Sequence, residues 1–237
     1  RLSLTNRKEE FIMKKLYEEL FGGWSAKEQI YAWTLISLQI IFYVIYPDSF
    51  WGFVAGMTGT ICVLLVAKGK ISNYFFGFIQ TGVTMVLGFQ AFLIGETMEN
   101  VFYFVSQFLG IKEWKNNLNE DTHIVKTRKF TIGQWMLTIW SVAALTALLG
   151  YTFKHFNGTQ PFIDAFTLIL ALVAQILMVY RFREQWLLWA VLNIVSIYQW
   201  IALNNMSLVA MYLAFLINTI YGYVNWSKQQ KEIPAAA

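Results

Sequence analysis

The residues best equipped for chemistry sit in "EQWLLWAVLN", residues 184–193. Trp186, Trp189 and Asn193 are spaced i, i+3 and i+7, which on an α-helix is a single stripe. Indole faces stack on flat rings and attract cations, and a carboxamide both donates and accepts hydrogen bonds. Together they would suit a flat, polar, cationic ring bearing a carboxamide or hydroxyls. A related set lies in "ISNYFFGFIQTGV", residues 71–83. At a shift of 113 residues Asn73 falls opposite Trp186, Phe76 opposite Trp189 and Gln80 opposite Asn193. "LGIKEW" (109–114) and "YGYVNW" (221–226) match as well, sharing Gly110/Gly222 and Trp114/Trp226.

The elements that carry these residues must cross a membrane. The 237 residues are 57% hydrophobic and 18% aromatic but only 14% charged, against about 25% charged in a soluble domain. Eight stretches reach the ~20 residues a spanning helix needs: 29–46, 50–67, 71–91, 95–114, 131–153, 161–180, 184–203 and 206–226. The weakest, 95–114, opens with Glu96 and Glu99. Eight spans put both termini and every second loop on one side. That side receives all 18 lysines and arginines except Lys154, as the positive-inside rule expects for cytoplasmic termini. The excess of bases is therefore a topology signal, and nucleic acid is not an expected partner. Cys62 is the one cysteine, so no internal disulfide can form. No cleavable signal peptide is read in the mixed-charge start.

The organisation expected is an all-α polytopic membrane protein with a parallel repeat. Residues 1–28 form a cytoplasmic amphipathic segment whose "EEFIMKKLYEELF" either lies on the inner membrane surface or packs as a solvated helix on the loops. An extra span at 29–46 precedes a first three-helix repeat at 48–114. Residues 115–153 supply a cytoplasmic loop and a connector helix, and 160–228 a second three-helix repeat. Residues 229–237 are a tail outside the functional core. A single connector lets the second triplet enter with the orientation of the first.

An unsatisfied amide in hydrocarbon costs several kcal/mol, so Gln80 and Asn193 must face each other, another helix or an aqueous cavity. Taken alone, each reads equally well as glue between helices, at about 0.6 kcal/mol apiece. Placed symmetrically beside aromatics, the two read better as a midplane site. Gln107, Gln175 and Asn218 are further intramembrane amides; each fits a helix–helix contact or a place in the site. Trp24, Trp51, Trp114, Trp200 and Trp226 lie near span ends and read as interfacial belt. Trp135 and Trp140 fit packing better than a cavity wall. His123 and His155 fall in loops, so no metal site or cofactor is expected in the membrane. No Asp, Glu, Lys or Arg lies at mid-span, and Glu96, Glu99 and Asp164 sit at outer ends, which argues for uncoupled passage down a gradient. "GKIS" (69–72) echoes the end of a phosphate-binding loop, but Leu64 replaces its first glycine. An enzyme acting on a lipid-linked substrate lacks the acids, bases and ligands it would need.

The run Trp186, Trp189, Asn193 resembles the W-x-x-W-x-x-x-N signature of the PnuC family, bacterial transporters of nicotinamide riboside. "KISNYFFG" (70–77) is similar to the start of that family's second core span, and the likeness covers residues 48 to 228. The resemblance implies a SWEET-like 3+1+3 core with one extra N-terminal helix, in the bacterial inner membrane. It implies facilitated diffusion of nicotinamide riboside with alternating access, trapped inside by a separate kinase. It implies too a substrate site of Trp186, Trp189, Asn193, Gln80, Asn73, Phe76, Gln107 and Asn218, and a homo-oligomer such as a trimer. Thiamine or riboflavin would suit the same kind of pocket, and a sugar carrier of the SWEET kind is the further alternative.

Overall fold

The computed structural model describes residues 4–45, 49–120, 122–202 and 206–232, and all nine elements named in them are helices. They are α1 (Leu4–Phe21), α2 (Ala26–Ile45), α3 (Phe50–Lys68), α4 (Asn73–Gln90), α5 (Ile94–Lys115), α6 (Ile132–His155), α7 (Pro161–Val179), α8 (Gln185–Ala202) and α9 (Met206–Glu232). The last residues of the tail and the side chain of Trp200 lie outside the described set.

Local signals set the helix ends. Ser49 caps α3 by accepting from the Gly52 amide at 2.9 Å. Thr131 and Gln134 form a reciprocal capping box at the start of α6. Pro161 opens α7, where a missing amide hydrogen costs nothing. The ends of α3 and α7 share one device. Gly69 (φ 74°) and Arg181 (φ 63°) both turn left-handed. The amides of Gly69 and Lys70 bond the carbonyls of Val66 and Leu65, and those of Arg181 and Phe182 bond Met178 and Leu177. This is the Schellman termination, normally built on glycine.

Four helices, α2, α3, α6 and α7, are long and apolar enough to cross a membrane by length and composition. Of the other long helices, α4, α5, α8 and α9 carry Asn73, Gln80, Gln107, Asn193 and Asn218 together with Trp114, Trp186, Trp189 and Trp226, and these side chains need protein around them. Packing provides it. α3 packs on α4, α4 on α5, α5 on α7, α7 on α8, α8 on α9 and α9 back on α3, closing a ring of six. α2 lies outside on α3 and α6 outside on α7. α2, the helix expected to stand apart, thus packs on α3 as α6 packs on α7. Outward-facing residues are large and apolar, such as Phe75, Phe89, Leu137 and Trp140.

The two seams of the ring mirror each other. Trp114 of α5 donates its indole N–H to the Met178 carbonyl of α7 at 3.1 Å, and Trp226 of α9 donates to the Val66 carbonyl of α3 at 2.9 Å. One level further into the span, Gln175 of α7 donates to Ser106 of α5, and Asn218 of α9 donates to the Val63 carbonyl of α3. A Cβ on Gly110 would meet the Tyr74 ring, and one on Gly222 the Trp186 ring. These partners repeat at a spacing of 112 residues (74 and 186, 110 and 222, 114 and 226), not 113. The register inferred from residues 71–83 is therefore corrected by one: Tyr74 is the counterpart of Trp186, and Thr81 that of Asn193.

At the end of the ring that carries most of the bases, one aromatic core fills the centre. It unites Val66, Tyr74, Trp114, Met178, Trp186 and Trp226 with Val125 of the connecting segment. Trp114 and Trp226 are fully buried. They are core residues rather than belt residues, because each indole N–H is satisfied by a carbonyl inside the ring and not by interfacial water. The segment after α5 is also more than a link. The amide of Val125 bonds the Gly69 carbonyl at 2.9 Å and that of Arg128 the Arg181 carbonyl at 2.8 Å. This strap thereby ties the α3–α4 turn to the α7–α8 turn. Arg181 anchors it further, bonding the Lys126 carbonyl and the Glu113 carboxylate. Burial pulls the Arg181 and Lys70 cations below their ordinary ranges, with Glu113 and Glu19 respectively acting the other way. The amphipathic α1 does pack: Lys70 donates to the Glu18 carbonyl, and the Glu19 carboxylate accepts from the Ser72 amide at the start of α4.

Candidate functional site

The predicted site residues separate into two levels. At the basic end, Trp186 is 3% exposed, with its ring edge-on to Trp226 at 5.8 Å and pressed against Gly222. Asn73 is buried and donates to the Lys70 carbonyl at 2.6 Å. Phe76 is half-buried beside Phe75. Asn218 joins three helices, donating to Val63 of α3 and accepting from the Tyr31 hydroxyl of α2.

Nearer the middle of the ring lies a second group. Trp189 touches both apolar cores and meets the ring of Tyr103 at a centroid distance of 6.4 Å. Tyr103 is on α5 and Trp189 on α8, helices that do not adjoin in the ring, so this contact reaches across its interior. On the same face of α5, Gln107 is 3% exposed and donates to Thr81 of α4 at 2.9 Å. Gly77 makes room for it, since a Cβ there would stand 2.5 Å from the Gln107 Oε1. That oxygen has no hydrogen-bond partner among the described residues. Asn193, the counterpart of Thr81, is 4% exposed and makes no hydrogen bond among the described residues. Gln80 turns the other way, lying along Gly59 of α3 and bonding only Thr84, at 3.4 Å. No hydrogen bond joins Gln80 to Asn193, and their helices occupy opposite places in the ring.

An unpaired amide oxygen and an unpaired carboxamide at mid-span are costly unless something polar meets them. Trp189 and Tyr103 set two aromatic rings beside these groups in the ring interior. Tyr103 and Thr81 were missed in the sequence. Tyr103 stands one turn before Gln107 in the weakest apolar stretch, and that i, i+4 relation was the available signal. Thr81 was hidden by the one-residue error in the repeat. No group of three or more possible metal ligands occurs among the described residues.

The nicotinamide mononucleotide transporter family matches residues 49–228. The chain is 36% identical over 224 residues to the nicotinamide riboside transporter PnuC of Neisseria mucosa, covering 90% of this chain and 85% of that one. It is 37% identical over 220 residues to the PnuC of Haemophilus influenzae, covering 92% and 96%. The chain belongs to the PnuC family. The crystal structure of the vitamin B3 transporter PnuC superposes with a TM-score of 0.79 at 36% identity, covering 92% of this chain and 97% of that one. PnuC proteins are transporters and not enzymes. Apolar helices and membrane-transporter relatives together make this chain a multi-pass protein of the bacterial inner membrane.

Proposed function

We propose that this PnuC-family chain carries nicotinamide riboside across the membrane by facilitated diffusion. The observation that carries the reading is identity of 36% and 37%, over nine-tenths of the chain, to transporters named for that molecule. The chemistry agrees. A pyridinium suits the faces of Trp189 and Tyr103, and its carboxamide and ribose suit Asn193, Gln107 and Thr81. Gln80 of α4 lies against Gly59 of α3, away from this group, and Trp186, Asn73, Phe76 and Asn218 support the site by packing and by joining helices. The family description names the mononucleotide, whereas the relatives' names specify the riboside. The riboside is favoured, because no lysine or arginine lies beside the mid-span amides to meet a phosphate.

In this reading eight helices span the membrane as two like-oriented triplets with α2 and α6 outside, a SWEET-like plan. The basic end and both termini face the cytoplasm. The aromatic core then bars the cytoplasmic exit, and alternating access requires it to part. No Asp, Glu, Lys or Arg lies in the middle of a span, which supports uncoupled passage. Self-association, with a trimer as the expected form, is part of the same reading.

Calorimetry of the purified protein with four ligands (nicotinamide riboside, its phosphate, thiamine, riboflavin) tests the proposal. Nicotinamide riboside should bind best, and Trp189→Ala and Asn193→Leu should abolish uptake while the protein stays folded. Preference for thiamine or riboflavin would overturn the substrate. Proteoliposomes impermeable to every bound ligand would overturn transport.

A further inference from the structure

The acidic side of the ring holds a carboxylate that neither the packing nor the site described above uses. Glu99 lies on α5 one turn before Tyr103, and the Tyr103 hydroxyl donates to its Oε1. It is half-buried, unlike its neighbour Glu96, which is exposed. The three ion pairs found among the described residues are Lys68–Glu28, Arg181–Glu113 and Arg183–Glu184, and Glu99 is in none of them. A partly desolvated carboxylate without a basic partner is costly to keep. This one is linked through a phenol to Trp189 of α8, the next helix but one in the ring. Donation from the phenol steadies the anion and enriches the Tyr103 ring in electron density, which strengthens its cation-attracting face.

We propose that Glu99 is a specificity residue that makes the site prefer a monocationic aromatic ring over the same ring without charge. Glu99 supplies the counter-charge, Tyr103 relays it to the stacking position, and Trp189 offers the face opposite. The role rests on the transport reading above, in which the ligand is a pyridinium riboside. It extends that reading by assigning the ligand's charge to a residue outside the W-x-x-W-x-x-x-N stripe.

The test compares nicotinamide riboside with its uncharged 1,4-dihydro form, binding being read by quenching of tryptophan fluorescence in the purified full-length protein. Wild-type protein should favour the cation. In Glu99→Gln the affinity for the cation should fall about tenfold, while that for the neutral form stays unchanged and serves as the control for folding. Glu99→Asp should recover most of the loss, and Tyr103→Phe should lower cation affinity more than neutral affinity. Equal losses for both ligands in Glu99→Gln, or no loss for either, overturn the role of Glu99 and leave the transport reading standing. Wild-type protein that binds neither form overturns that reading, and the role of Glu99 with it.

Discussion

Gly110 and Gly222 show how much a single hydrogen can decide. Each lets a large ring lie where its own Cβ would be, at 2.3 Å for the Tyr74 hydroxyl and 2.5 Å for the Trp186 indole. Both rings are buried and cannot swing away. Gly110→Ala and Gly222→Ala should each cost about 1–3 kcal/mol by overpacking, whereas Gly95→Ala, with open space around it, should cost nothing measurable. Thermal melts in detergent would check the contrast, and equal melting temperatures would refute it. The stripe of Trp186, Trp189 and Asn193 was legible in the sequence, because helical periodicity alone puts the three together. Their division of labour was not. Periodicity says which face a residue occupies but not which neighbour fills that face, and Gly222 and Trp226, which enclose Trp186, lie on another helix.

Among the elements, the ends of α3 and α7 make the most informative pair. Gly69 adopts its left-handed turn freely, but Arg181 makes the same turn with a side chain, at a cost of roughly 1 kcal/mol. Its guanidinium offsets that strain by holding the Lys126 carbonyl and Glu113. Arg181→Ala should keep the strain and lose the anchor, destabilising the protein by about 2 kcal/mol or more. Arg181→Gly should lose the anchor but relieve the strain, and so melt above the alanine variant. The reverse order would show the turn to be unstrained. The positions of the helices were readable from runs of apolar residues, and all eight expected spans coincide with helices within a few residues. The register of the repeat was not readable from residues 71–83 alone. An apolar alphabet matches itself at many offsets; the match of 109–114 with 221–226 already stands at 112, and the paired contacts of Tyr74 with Gly110 and Trp186 with Gly222 agree with that shift. The strap was likewise invisible, because its order comes from backbone bonds to two distant turns.

Across the whole molecule, the strap and the aromatic core close one end together. If that end opens during transport, the bonds from Val125 to Gly69 and from Arg128 to Arg181 must break with it. Lys126 and Lys129 are exposed side chains on a backbone held by those bonds. Trypsin should therefore cut the strap slowly in the resting protein and several-fold faster when ligand drives that end open, since cleavage follows the open population. A rate indifferent to ligand would mean that the strap does not move.

A ring without a free edge constrains how such a molecule can yield. Trp114 and Trp226 pin its two seams with matching clasps, so α5 cannot part from α7, nor α9 from α3, without losing one. If the two halves proposed above rock against each other, these clasps lie on the line where the halves meet. Trp114→Phe and Trp226→Phe each remove one clasp hydrogen bond, so each should lower the melting temperature by a similar amount in a thermal melt.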